Sequence, residues 1–337
     1  MKQPLILFVF LFVLILTVVV SLTLGRYMIS LGDLGRFIGF QFSDCFVMEE
    51  RQYQIIKNVL FDIRLPRIAA AVLIGAALSV SGAVFQSMFI NPLVSPGLLG
   101  VLAGASFGAS VSMILAKSWF VVQLSAFAFG MIAVLAAVAM SSLNRGDRLL
   151  MLILGGIISG ALFTSLLSVI KYLADPYEQL PAIVYWLMGG LSAIDRMTVL
   201  TVGVPITGGI CMALLLSGYL NVLSMGDEEA RSLGVNVTLL RFIFIFLATV
   251  MSALTVVLGG IIGWVGLLIP HIARMIVGPD NRILLPAAAL IGATYLLVTD
   301  NAARLLFKIE IPIGILTSLV GIPFFAFVLR KAKRGWS

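Results

Sequence analysis

The sequence predicts an all-α integral membrane protein, a single transmembrane domain over residues 1–337 with about ten transmembrane helices. Three observations lead there. Charged residues make up 11% of the chain, where a soluble domain carries roughly 25%, so polar groups cannot coat its surface. Hydrophobic residues make up 61%. The few charges are clustered, and they leave uncharged runs long enough to cross a bilayer.

Taken in order, the first run, 4–25, is one span. It is longer than the roughly 7–15-residue apolar core of a secretory signal, and no small-x-small cleavage site follows it. A polar segment over 26–67 comes next. The run 68–116 holds no charge and is too long for one span, since about 20 apolar residues suffice. "INPLVSPG" (90–97) is the natural break between two helices. The runs 118–143, 149–170 and 197–226 supply one span each. The run 242–273 is again too long, and Gly259, Gly260, Gly263, Gly266 and Pro270 can break it. The runs 283–299 and 311–329 complete the set.

Gly100, Gly104 and Gly108 recur every fourth residue, and Gly156 and Gly160 repeat the spacing. Small residues on one face let membrane helices approach closely, so these glycines are read as packing surfaces. Cys45 lies between spans and Cys211 inside one, which excludes a disulfide framework. The net charge of +7 is read as loop charge that sets topology, not as a nucleic-acid surface. Lys and Arg divide evenly between the two sides when every loop counts. Without the long 26–67 segment, the short loops favour cytoplasmic N- and C-termini.

Absences narrow the function. The dipeptide Gly-Lys does not occur, so the chain has no P-loop. The uncharged runs lack the membrane-depth acids and bases of ion-coupled carriers, although an ion-coupled secondary transporter with inverted repeats is the alternative reading. His271 is the sole histidine and cannot alone build a metal site of three or four ligands. No catalytic residue and no metal site are expected.

Three polar features stand out. "SMGDEEARSLGVNVTLLRF" (224–242) interrupts two long spans. Asp227 is expected to cap a short helix, with Glu228 and Glu229 in its first turn and Gly234 as its stop. "IRLPR" (63–67) places Arg64 and Arg67 at the mouth of the second span, and "DNAARLLFKIEIP" (300–312) reads as a charged outer loop carrying Arg304.

From about residue 55 onward the chain resembles the iron-chelate and vitamin-B12 type permease family, the BtuC-like membrane subunits of type II ABC importers. The resemblance rests on "RLPR" (64–67), "GAALSVSGAVFQSMFINPLVSPGLLGVLAGASFGA" (75–109), "YWLMGG" (185–190), "EEARSLG" (228–234), "GWVGLLIPHIARMIVGPDNRILLP" (263–286) and "IPIGILTSLVGIPFF" (311–325), in that order. It implies a homodimer in the bacterial cytoplasmic (inner) membrane, surrounded by membrane lipid, with one pathway along its axis. Two ATP-binding cassette ATPase subunits would sit beneath it and a periplasmic substrate-binding protein above. ATP and Mg would be bound by the ATPase, so this chain needs no cofactor and is not an enzyme. The cargo would be a ferric siderophore, haem or cobalamin, or molybdate or tungstate in one branch of the family.

Residue by residue, the resemblance assigns Asp227, Glu228, Glu229, Ala230, Arg231, Leu233 and Gly234 to ATPase coupling. It assigns Arg64, Arg67 and Arg304 to docking of the binding protein, and Asn91 and Leu93 to a cytoplasmic gate. "NRGDRLL" (144–150) occupies the place of a companion gate loop. "GLLIPHIAR" is similar to the family's stretch at this point, so Pro270 and His271 are read as architecture, with Pro270 resetting the chain direction.

Overall fold

Inside a bilayer every backbone N–H and C=O must find its partner within the protein, which leaves helix as the natural form for runs this apolar. A computed structural model describes residues 2–42, 49–116, 118–143 and 148–332, and among these no strand occurs. Cys45 and residues 144–147 of the expected companion gate loop lie outside the described residues. In chain order the helices are α1 (Lys2–Thr23), α2 (Leu31–Phe42), α3 (Glu50–Asn58), α4 (Leu65–Met88), α5 (Val101–Leu115), α6 (Trp119–Leu143), α7 (Arg148–Leu173) and α8 (Gln179–Leu187). They continue with α9 (Arg196–Leu215), α10 (Ser217–Leu223), α11 (Asp227–Ser232), α12 (Val237–Gly259), α13 (Val265–Val277), α14 (Asn281–Leu305) and α15 (Ile313–Ala332). Seven helical stretches are long and apolar enough to cross a membrane, and α5, α13 and the 313–327 part of α15 are shorter apolar helices. Among the described residues these seven and three correspond in place to the expected helices, about ten in number.

Both expected breaks occur. α4 ends at Met88, a short 3-10 turn spans Pro96–Leu99, and Gly100 at φ 82° starts α5. The second break falls between Gly259 and Val265, through Gly260 at φ 66° and Trp264 at φ 69°. Pro270 does not break the chain, contrary to expectation: it sits inside α13, in the second turn, and the helix continues through it with one backbone bond missing. Proline lacks the N–H that would bond the Gly266 carbonyl. That oxygen lies instead against Gly82, where an added Cβ would sit 1.8 Å from it.

This contact belongs to a pattern. α4 is enclosed by α9, α12, α13 and α14, and 83% of its most apolar window is buried. A Cβ on Gly75 would lie 2.2 Å from the Gly292 carbonyl of α14, and one on Gly292 would lie 2.0 Å from Ser79 Oγ. The regularly spaced glycines act as read from the sequence. Gly104 and Gly108 bring α5 onto the Phe129 and Ser125 carbonyls of α6, and Gly156 brings α7 onto the Leu98 carbonyl.

The 26–67 segment is more than a polar connection. α2 and α3 enclose a small core of Ile29, Phe37, Ile56 and Leu60, with Phe37 stacked on Tyr53 at 5.1 Å. From α3 the helix runs on through a π turn (Val59–Arg64) into α4.

The glycine contacts have a measurable consequence. Gly82→Ala should lower the thermal stability of the detergent-solubilised protein, at a cost near the upper end of the overpacking range, about 3 kcal/mol. Gly208→Ala in α9, where an added Cβ meets nothing within 4 Å, should be neutral or slightly stabilising. Equal melting temperatures for the two variants would contradict this packing.

Candidate functional site

Polar groups are expensive at membrane depth and mark function or architecture. Three groups of them stand out here. Two lie at opposite ends of α4, and the third is the 224–242 element.

At the Arg67 end, α14 continues as helix through Leu305, so Asp300 and Arg304 sit in its last turns and not in the loop expected from sequence. Asp300 is fully buried. Arg67 donates through Nε to both of its oxygens, at 2.9 and 3.1 Å, and through Nη1 to both oxygens of Glu310, at 3.0 and 3.2 Å. Arg304, one turn after Asp300, approaches it at 3.2 Å and donates to Asn301. Asn301 in turn donates to Ser21 of α1 at 2.6 Å. The two cations and two anions of this cluster balance.

These contacts bear on the docking expectation. Arg64 is 3% exposed and donates to the Leu22 and Tyr27 carbonyls, and Arg67 is 7% exposed. Neither offers a free cation at the surface of this chain. They hold α1, α4 and α14 together. The Arg304 side chain is equally enclosed, at 10% exposure, but it borders an open recess of about 590 Å³ that Arg26 and Lys308 also line.

At the other end of α4, Ser87 donates to Asn281 Oδ1 at 2.7 Å and accepts from Arg274 at 3.3 Å. Asn221 of α10 accepts from both the backbone and side-chain nitrogens of Asn281, each at 2.8 Å, and donates to Asp280 at 2.6 Å. Asp280 caps α14 by accepting the Arg282 N–H at 3.0 Å. The Asn221 amide, and then that cap, hold the Asp280 carboxyl below its usual range. Just past Ser87 the chain turns: Asn91 Oδ1 accepts the Leu93 N–H at 2.9 Å, an Asx turn. It leaves Ile90 and Leu93 exposed, with Ile90 at φ 50°, an uncommon conformation for a β-branched residue. The expected gate pair therefore sits on an exposed apolar turn beside this network.

The 224–242 element is helix, elbow, helix, as read, with one correction. Asp227 does not cap α11. The cap position is Gly226, at φ 116°, and the Asp227 carboxylate is drawn to Arg241 of α12 at 2.9 Å, with Arg231 at 3.8 Å. A guanidinium that binds both oxygens outcompetes a single backbone N–H. Gly234 does stop the helix: at φ 76° it donates to Arg231 O at 2.9 Å, while Val235 donates to Ala230 O at 3.3 Å. That pair of bonds is a Schellman motif. Asn236 then caps α12, accepting the Leu239 N–H at 3.0 Å. Ala230 is buried, while Glu228, Glu229, Met225 and Leu233 face outward.

His271 lies 6.5 Å from the Phe324 ring and 6.2 Å from Phe325. Among the described residues no group of three or more His, Cys, Asp or Glu could hold a metal. Asp300, Glu310, Asn221, Asn281 and Ser87 were not singled out by sequence. For Asp300 a signal existed, since Arg304 follows it at helical spacing straight after an apolar run.

Comparison with known proteins agrees with this architecture. The model of the FecCD transport family matches residues 13–331. The molybdate import system permease protein MolB of Haemophilus influenzae is 42% identical over 335 residues, covering 99% of this chain and 98% of that protein. The hemin transport system permease protein HmuU of Yersinia pestis is 38% identical over 284 residues, covering 82% and 84%. A solved structure described as an inward-facing conformation of a metal-chelate type ABC transporter superposes with a TM-score of 0.87. It is 40% identical and covers 97% of this chain and 99% of that one.

Removing one partner of a buried ion pair leaves an uncompensated charge. Arg67→Met should therefore destabilise the detergent-solubilised protein by about 3–5 kcal/mol. Arg67→Met combined with Asp300→Leu leaves Arg304 facing Glu310 and should recover much of that loss. A double variant less stable than Arg67→Met alone would contradict the pairing.

Proposed function

The chain belongs to the FecCD transport family, and on that premise we propose that it forms the homodimeric transmembrane pathway of an ATP-driven importer for a metal-bearing cargo. It is a permease subunit of the ABC importer kind. ATP and Mg act on a separate ATPase, and this chain supplies the pathway and the surface through which the ATPase drives it. Both termini and α11 face the cytoplasm of a bacterial inner membrane, and the Arg67–Asp300 end faces the periplasm.

The observation that carries this reading is the elbow from α10 to α12. A six-residue helix is stopped by a Schellman turn at Gly234, tied by Asp227 to Arg241, and presents Glu228, Glu229 and a 58% exposed Leu233. A rigid projection with acidic and apolar contacts suits a groove in a soluble partner. Asp300 speaks against ion coupling, since Arg67 and Arg304 already neutralise it.

On the opposite side, acids of a substrate-binding protein would dock at the recess lined by Arg26, Arg304 and Lys308. Arg64 and Arg67 would shape that surface from beneath. Rim charges of this kind govern encounter rate more than affinity. Asn91 and Leu93 would form the cytoplasmic constriction of the pathway. The uncharged runs suggest a weakly binding pathway, which leaves cargo choice to the binding protein. Relatives named for molybdate and hemin import support either a small oxyanion or an iron-type chelate.

Two measurements test these assignments. Gly234→Val forces a β-branched residue to φ 76°, a strain of about 1–2 kcal/mol. It should uncouple ATP hydrolysis from uptake in an inserted, dimeric complex, and retention of full ATPase association and full coupling would refute the elbow as the contact. Calorimetry of the partner binding protein should show tight binding of molybdate, tungstate, haem, cobalamin or a ferric siderophore. Tight binding of a sugar, amino acid or peptide, with none of these, would overturn the cargo class.

A further inference from the structure

The hydrogen bonds at the Ser87 end form one directed chain. Arg274 donates to Ser87, Ser87 to Asn281, Asn281 to Asn221, and Asn221 to Asp280. The direction is fixed at both ends, because a guanidinium only donates and an ionised carboxylate only accepts. Flipping the Asn221 amide would break its bonds to Asn281 and to Asp280 together. The chain crosses from α13 to α4, α14 and α10 and ends on the cap of α14.

Asn221 is the link that leaves the core. α10 is a seven-residue helix with no side-chain cap. Leu220 and Leu223 bury its inner face, and Asn221 supplies its polar tie by accepting the Asn281 backbone N–H, an orphan donor of the first helical turn. α11 follows α10 within a few residues. On the far side of the chain, Ser87 stands in the last turn of α4, directly before the exposed turn that holds Ile90, Asn91 and Leu93.

We propose that Asn221 is a positioning residue that couples α10 and α11 to the end of α4, so that displacement of the elbow moves the Ile90–Leu93 turn through Asn281 and Ser87. The proposal rests on reading α11 as the ATPase contact. The coupling path is short and polar at each step, in a region where the surrounding contacts are apolar. Apolar contacts allow sliding, whereas a directed chain with both ends charged fixes relative position.

A swap of side chains tests it. Asn221→Asp sets a carboxylate against Asp280 and removes the amide donor. Asn221→Asp with Asp280→Asn removes the like-charge contact and restores the link between the two residues, with donor and acceptor exchanged. Because one Asp280 oxygen accepts both the Asn221 amide and the Arg282 N–H in the parent, the exchange gives up the α14 cap bond, which lowers stability and leaves the path from α10 to α4 intact. With the complete transporter in liposomes, cargo moved per ATP hydrolysed should fall about tenfold in Asn221→Asp, with the ATPase still bound and active. The double variant should recover to within about twofold of the parent. Unchanged cargo per ATP in the single variant, or no recovery in the double, overturns the proposal. If Asn221→Asp fails to fold, Ser87→Ala cuts the chain where it reaches α4, and the same ratio should fall. An unchanged ratio in that variant overturns the proposal equally. Failure of the underlying reading looks different: it shows as full ATPase association and coupling in Gly234→Val, whatever the Asn221 variants do.

Discussion

Backbone touching backbone, at Gly82 against Gly266 and at Gly75 against Gly292, fixes where the rest of this chain can lie. In lipid no hydrophobic force drives one apolar helix onto another, so association depends on close packing and on polar contacts. Glycine permits the closest packing, and α4 uses it at two heights along one face. The Pro270 ring deepens one of these contacts by freeing the Gly266 carbonyl to face Gly82. Once α4, α13 and α14 are held at this spacing, Arg67 comes level with Asp300 at one end and Ser87 level with Asn281 at the other.

α4 and α14 thus form a strut fastened at three heights, with an ion cluster, a glycine contact and a hydrogen-bonded network. Its middle is apolar and its ends are polar. This is a sensible body for a permease. Between Arg67 and Met88, and between Arg282 and Asp300, the strut carries no charged side chain. The short elbow hangs from one end of the strut by Asn221, while Asp227 ties its two helices together.

The fold was legible because its causes are local in sequence. Uncharged runs mark spans, and Asn-Pro with Ser-Pro-Gly marks the turn after α4. The i, i+4 glycines mark the faces of α5 and α7. The ion cluster was less legible, since Arg67 and Glu310 are distant in sequence and only folding brings them together. That distance is why Arg64 and Arg67 read as free surface cations when they are buried ties. Asp227 reads as a cap because its neighbours in sequence suggest one, whereas Arg241, its partner in space, lies a helix away. Asn221 carried no signal, because a single amide in an apolar run looks like tolerance. The family-level resemblance, resting on ordered motifs, supplied the transport reading that composition alone left open.

The central claim is that this chain forms an apolar pathway driven by a separate ATPase and not by an ion gradient. The most direct measurement is uptake of radiolabelled cargo into proteoliposomes holding the chain with its ATPase and binding protein, with and without ATP and with imposed proton or sodium gradients. The account predicts uptake that requires ATP and all three components and is insensitive to either gradient. Uptake driven by a gradient through this chain alone would contradict it.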